Sequence, residues 1–272
     1  MSISIPELEQ KSRALRLHIV HMIGVGQKGH LGGSFSLADI VAVLYFHAMR
    51  HDPRNPKWEG RDRFLLSKGH AALIQYAALA EAGYFPREEI RHVKRLGAML
   101  QGHPDMLTTP GIEANTGSLG QGLSIACGMA AGLRLDRKKN KVYCIIGDGE
   151  IAEGQIWEAA MTAAFYKLDN LTAILDKNGL QATGAIKDRY DTNPLMEKWK
   201  AFGWYVTEMD GHNIREIIDT LHRVDAVAGQ PKIIIARTVK GKGLPFTENN
   251  VAFHNGELTR EQFDKACAIL AS

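Results

Sequence analysis

Ile-Ile-Gly-Asp-Gly-Glu-Ile-Ala-Glu-Gly-Gln-Ile-Trp-Glu-Ala-Ala (residues 145–160) and Leu-Thr-Ala-Ile-Leu-Asp-Lys-Asn-Gly-Leu (residues 171–180) decide the reading of this chain. Each segment follows the same plan. A short apolar run of β-branched and small residues, too short for a buried helix, reads as a sheet strand buried on both faces. The run then breaks at polar residues that can bind: Gly147-Asp148-Gly149 after the first strand, Asp176-Lys177-Asn178 after the second. In open α/β sheets ligands sit outside the carboxyl ends of the strands, where Asp148 and Asn178 are placed. A carboxylate and an amide oxygen suit a hard cation. Mg²⁺ takes few protein ligands and completes its octahedron with phosphate oxygens and water. The Leu180 carbonyl, just past the turn at Gly179, can be a third ligand. Gly149 lets the main chain approach a phosphate, and a helix beginning near Ile151 points free N–H groups the same way. The stretch predicts a Mg²⁺–diphosphate site, with Ca²⁺ or Mn²⁺ as alternative cations.

Outward from this stretch, strand and helix alternate. Helical spacing runs from Ile5 to Val25, Leu37 to Met49, Ala71 to Ala82, Pro86 to Leu96, and from Gly122 to about Leu135. Ser36 is placed to cap the second of these. Further strands are predicted at Phe64–Leu66, Trp204–Val206 and Pro231–Thr238, and further helices at Asn213–Ala228 and Thr259–Leu270. Gly29–Ser34 and Leu100–Asp105 read as loops. The pattern predicts an α/β fold, a mostly parallel doubly wound sheet with helices on both faces. No repeat or linker divides it, so residues 1–272 read as one domain with a carboxy-terminal extension.

With 45% hydrophobic and 23% charged residues, the chain has ordinary globular composition. A formal charge of +3 without a basic block argues against nucleic acid, and no apolar run is long enough to span a bilayer. The three cysteines, Cys127, Cys144 and Cys267, lack metal-ligand spacing and read as thiols of a reducing cytoplasm. Further candidate residues fall in three groups. Gly117-Ser118-Leu119-Gly120-Gln121-Gly122 opens a helix and suits close approach to a flat ring above Leu119. His30, His70, His103 and His254 sit beside glycine or on polar loops, where an imidazole can shuttle protons near neutral pH. Histidines on helices or their ends, such as His18 and His47, read as structural. Glu153 and Glu158, on the helix after Gly-Asp-Gly, can face a subunit seam or simply solvent.

Taken in order, Gly-His-Leu-Gly-Gly, Ser-Lys-Gly-His-Ala, Gly-His-Pro, Thr-Gly-Ser-Leu-Gly-Gln-Gly, Gly-Asp-Gly-Glu and Asp-Lys-Asn-Gly-Leu resemble the amino-terminal half of a transketolase. The likeness runs on through Lys240-Gly241-Lys242-Gly243 to His254. It implies thiamine diphosphate as cofactor, with Asp148, Asn178 and the Leu180 carbonyl holding the metal. It implies that His70, Gly149, Lys240 and His254 contact the diphosphate, with Glu150 of the Gly-Asp-Gly-Glu motif in the same cofactor site. Gly117, Ser118 and Leu119 would line the thiazolium ring. His30 and His254 would touch a sugar phosphate and His103 its reacting hydroxyls, while Glu153 and Glu158 would join an interface carboxylate network. Two stretches depart from the family pattern: Gly32-Gly33, where many members carry Pro and a larger polar residue, and Leu244–Phe253 before the histidine. On this resemblance, the pyrimidine-binding and carboxy-terminal domains of a full transketolase are expected to lie outside this chain. The resemblance therefore implies the amino-terminal, thiamine-diphosphate-binding subunit of a split transketolase. A partner transketolase subunit, with the pyrimidine-binding and carboxy-terminal domains, would complete it in an α₂β₂ assembly. The alternatives are a specialised transketolase for a branched or modified sugar phosphate, a non-catalytic cofactor-binding protein, and a 2-oxo acid dehydrogenase α-type subunit.

Overall fold

The computed structural model describes residues 3–271. Five strands, β1 (Arg63–Leu66), β2 (Val142–Gly147), β3 (Leu171–Lys177), β6 (Tyr205–Asp210) and β7 (Lys232–Arg237), form one parallel sheet in the order β1-β2-β3-β7-β6. A small antiparallel pair, β4 (Leu180–Gln181) and β5 (Gly184–Ala185), follows β3.

Alternation along the strands builds two apolar layers. Leu65, Val142, Cys144, Ile146, Ala173, Leu175, Ile233 and Ile235 face the layer covered by α5 (Gln121–Leu135), α6 (Gly154–Phe165) and α7 (Leu195–Ala201). Phe64, Leu66, Tyr143, Ile145, Ile174, Ile234 and Ala236 face the other. That second face is covered by α1 (Ile5–Ile23), α2 (Leu31–Phe35), α3 (Ala38–Val43), α4 (Ala72–Ala82), α8 (Ile214–Asp225) and α9 (Arg260–Ala271). Burial on both faces explains why the strands read as unbroken apolar runs. Helix α1 starts from a capping box in which Ser4 and Glu7 satisfy one another's main-chain N–H groups.

Several local expectations are revised. Residues 31–35 form a short buried helix instead of a loop. Pro86–Leu96 yields only a 3-10 helix, Arg87–His92, in which Ile90 alone is buried, and the left-handed backbone of Lys94 and Gly97 ends it. The helix expected over Leu37–Met49 is α3 followed by a π-helical segment, Leu44–Ala48. Ser36 does not cap it: its hydroxyl donates to the Asp176 carboxylate at 2.8 Å and to the Gly33 carbonyl at 3.2 Å. Helix α7 and the β4–β5 hairpin had no strong periodic signal. Among the described residues no helix is long and apolar enough to cross a membrane.

Because the strands are parallel and in register, their carboxyl ends share one edge. Leu66 pairs with Ile145, Gly147 with Asp176 and Lys177 with Arg237. The loops after β1, β2, β3 and β7 therefore open together.

Candidate active site

These loops enclose a cleft of about 420 Å³. It is lined by His30, Gly33, Lys68, His70, Gly117, Leu119, Asp148, Gly149, Glu150, Asn178, Leu180, Gln181, Lys240 and His254, among others. Most of the predicted positions thus converge although they come from distant parts of the sequence. Ser118 is exposed and does not line the cleft, whereas its neighbours Gly117 and Leu119 do. His103 is exposed at the rim, and its ring lies so close that a Cβ on Gly117 would come within 2.7 Å of it. Glu153 and Glu158 lie outside the cleft and are exposed.

The floor of the cleft is organised by Asp176, fully buried at the end of β3. It pairs with the Lys68 ammonium and accepts hydrogen bonds from Ser36, Thr238 and, at 3.0 Å, the Asn178 amide nitrogen. Burial opposes its ionisation, but Lys68 and the hydroxyls outweigh burial and hold the carboxyl below its ordinary range. By engaging the amide nitrogen, Asp176 sets which face of Asn178 presents oxygen. Sequence reading assigned no role to Lys68 or Asp176. Their signal lay within the Ser-Lys-Gly-His and Asp-Lys-Asn runs, but a charge pair 108 positions apart has no sequence periodicity.

Asp148 behaves differently. It is buried, and its oxygens accept the Gly149 N–H at 2.9 Å and the Gly179 N–H at 2.6 Å. Burial and then the Asp176 charge push its carboxyl up to about 6, against the pull of Gly179, Lys68 and Lys240. A buried carboxylate whose direct partners are only main-chain N–H groups is left short of positive charge despite the more distant Lys68 and Lys240, and a bound cation would supply it. The Asn178 amide oxygen accepts the Leu180 N–H at 3.1 Å, and the Leu180 carbonyl accepts from the Lys240 ammonium at 2.8 Å. Carboxylate, amide and carbonyl oxygens are a donor set that fits Mg²⁺.

Opposite them, the rings of His30, His70 and His254 cluster, with centroids 4.9 Å, 5.3 Å and 5.4 Å apart. Burial first, then neighbouring ammonium and imidazole groups, lower His30 and His254 to about 4 and His70 to about 2. All three are neutral at pH 7, each able to donate from one nitrogen and accept at the other. Lys240, lowered to about 8 by burial and by Lys68, lies 2.9 Å from His254 Nδ1.

Glu150 lines the cleft but turns its carboxylate into the protein. It accepts the Ser67 hydroxyl and the N–H groups of Gly120 and Gly147, the latter two at 2.9 Å. It thereby ties together the loops after β1 and β2 and the glycine-rich loop. A Cβ on Gly122 would overlap Ser67, so glycine here serves contact between loops as well as approach to a ligand.

The family model for the transketolase thiamine diphosphate binding domain matches residues 8–270. The chain belongs to that family. It is 46% identical over 264 residues to the 6-deoxy-6-sulfo-D-fructose transketolase subunit SqwG of a Clostridium species, covering 97% of this chain and 96% of that protein. It is 40% identical to an apulose-4-phosphate transketolase subunit of Phocaeicola vulgatus, covering 95% of this chain and 92% of the relative. Among solved structures, a transketolase from Campylobacter jejuni superposes with a TM-score of 0.92 at 33% identity. That match takes in 99% of this chain but only 43% of the Campylobacter chain.

Proposed function

We propose that this chain is the amino-terminal half of a two-subunit transketolase. In this reading it holds Mg²⁺ and the diphosphate of thiamine diphosphate, and the complex moves a two-carbon ketol unit from a ketose phosphate to an aldose phosphate. The observation that carries it is the joining of Asp148, Asn178 and the Leu180 carbonyl to three neutral histidines in one carboxyl-edge cleft. Its companion is near-complete overlap with relatives named as transketolase subunits.

When bound, thiamine diphosphate supplies carbanion stabilisation that side chains lack. Asp148, Asn178 and the Leu180 carbonyl would hold the cation. The Leu180 carbonyl accepts from Lys240 at one lone pair and has a second free for a cation, which would set the Lys240 ammonium beside the phosphate oxygens. Gly117 and Leu119 line the wall of the cleft against a flat ring. His254, with Nδ1 engaged by Lys240, keeps Nε2 for the substrate, and His30 faces the same space. A neutral His254 whose Nδ1 accepts from Lys240 carries its proton on Nε2 and can donate it to a substrate oxygen, while the neutral His30 ring can take a proton from a sugar hydroxyl and return it. His103 at the rim is placed for the substrate's outer hydroxyls. Glu153 and Glu158, exposed in the isolated chain, would contact the partner that supplies the pyrimidine-binding half. In this proposal the assembly is an α₂β₂ complex in the cytoplasm.

The substrate reading favoured by the relatives is a modified or branched sugar, because the two subunits above are named for a sulfo-sugar and for apulose 4-phosphate. The test is reconstitution with a protein carrying the pyrimidine-binding domain, Mg²⁺ and thiamine diphosphate. Ordinary ketose phosphates, 6-deoxy-6-sulfofructose and apulose 4-phosphate are then compared as donors, with pyruvate as a control. Ketol transfer only in the two-subunit complex is expected. Full turnover by this chain alone, or activity confined to pyruvate, would refute the assignment.

A further inference from the structure

Behind the cleft, on the far side of the loop that carries Lys240, lies a buried charged group that the scheme above does not use. Arg16 on α1, Asp39 on α3 and His212 in the loop after β6 come together there. Arg16 Nη2 donates to Asp39 Oδ2 at 2.7 Å, and Ser12 adds its hydroxyl to the same carboxylate. His212 Nδ1 lies 2.8 Å from Asp39 Oδ2. The other ring nitrogen, Nε2, lies 2.8 Å from the main-chain nitrogen of Val239. An amide N–H can only donate, so Nε2 is the bare acceptor and Nδ1 carries the proton toward Asp39. The ring is thereby fixed in one tautomer and one orientation. Arg16 reaches the same loop by a second route, since its Nε donates to the Lys242 carbonyl at 2.8 Å. Gly243 allows that approach: a Cβ there would sit 2.9 Å from Arg16 Cδ, and its φ of +111° disfavours any side chain.

We infer that Arg16, Asp39 and His212 form a clamp that positions the Val239–Gly243 loop, and through it Lys240, for the anionic ligand of the cleft. The ligand half of this inference rests on the cofactor reading proposed above. Two features set the group apart from an ordinary core ion pair. Apart from a longer bond from Arg16 Nη2 to the Phe35 carbonyl at 3.4 Å, its outward hydrogen bonds end on loop main chain, at positions 239 and 242, on either side of Lys240. Buried ion pairs are poor sources of net stability compared with apolar packing, and their best-attested use is to specify one arrangement. Here the specified arrangement is the path of a loop whose lysine reaches Leu180 and His254 across the cleft. His212 is a positioning residue, not a catalytic one.

Two variants separate the clamp from general stability. His212→Asn keeps a donor where Nδ1 faces Asp39 but removes the acceptor for Val239. His212→Gln can place an amide oxygen where Nε2 lies. Amide hydrogen exchange in the full chain is expected to speed up about tenfold or more over residues 238–243 in His212→Asn, as a local opening. Exchange in β3 should stay unchanged, and His212→Gln should recover most of the protection. Calorimetric titration with thiamine diphosphate and Mg²⁺ should show affinity about tenfold weaker in His212→Asn and restored in His212→Gln, as expected for one lost buried hydrogen bond. Unchanged loop exchange, or acceleration spread evenly over the sheet, overturns the clamp. Faster loop exchange with unaltered affinity overturns its role toward the ligand. If neither the wild-type chain nor its two-subunit complex binds thiamine diphosphate, the cofactor reading and the ligand half fail together, and loop exchange still decides the clamp.

Discussion

In Asp148→Asn a buried carboxylate becomes an amide of nearly the same shape. The cation-free protein holds the Asp148 carboxyl at about 6, where 3.8 is ordinary, so ionising it in place costs about 3 kcal/mol more than in water. The sign follows from that direction. The folded state keeps the proton more readily than the unfolded chain, so the cost is absent below about pH 4, grows as pH rises from there and is complete above about pH 6. The variant escapes this cost but loses one of the hydrogen bonds from Gly149 or Gly179, worth about 1 kcal/mol to a neutral acceptor. Net stabilisation of about 2 kcal/mol at pH 8 is expected, or roughly 4 °C in melting temperature for a chain of this size. Thermal melts with a chelator at pH 8 and pH 4 make the measurement. The variant should melt higher at pH 8, and its advantage should vanish or slightly reverse at about pH 4. Added thiamine diphosphate and Mg²⁺ should raise the wild-type melting temperature but not that of the variant. An Asp148→Asn protein that melts below wild type at pH 8 without metal, or that gains as much from the cofactor, would refute the reasoning.

Three further outcomes are expected. His254→Ala and His30→Ala should each lower ketol transfer in the two-subunit complex by roughly 10²- to 10⁴-fold while cofactor binding persists; near-normal turnover in both would remove them from the catalytic set. Glu150→Ala strands the Gly120 and Gly147 N–H groups and the Ser67 hydroxyl, and should cost about 2–4 kcal/mol in denaturant unfolding; a change within about 0.5 kcal/mol, the order of a surface substitution, would show that the three loops do not depend on it. Because His30, His70 and His254 are held below their ordinary 6.5, at about 4, 2 and 4, stability is complete above about pH 6.5 and is lost as pH falls toward 4. Urea midpoints in the Asp148→Asn background, free of the opposing carboxylate, should fall between pH 7 and pH 5, and a flat profile would contradict the neutral cluster.

The parallel sheet and its binding edge were legible because buried strands, Gly-Asp-Gly and Asp-Lys-Asn are local signals. Each is written within a few consecutive residues. Ser36 shows where such reading fails. A serine before an apolar helix looks like a cap, yet its hydroxyl is claimed by Asp176, which lies 140 positions away. The glycines of 117–122 read as room for a ligand, whereas Gly122 makes room for Ser67. Glu150 read as a cofactor contact from its motif, while its carboxylate holds loops together. Helix α7 went unread because seven residues offer too few turns for a periodic signal.

By itself, then, the amino-acid sequence determined the α/β architecture, the order of the loops along the carboxyl edge and the oxygen-bearing side chains, Asp148 and Asn178, at two strand ends. Those depend on apolar alternation and on residues adjacent in the chain. Only the tertiary structure decided which groups are charged and which are held. Lys68 pairs with Asp176, Asp148 remains uncompensated, three histidines are neutral in one cluster, and Arg16, Asp39 and His212 grip the Lys240 loop. Each is a matter of burial and of distances across the fold, and neither quantity exists until the chain has closed on itself.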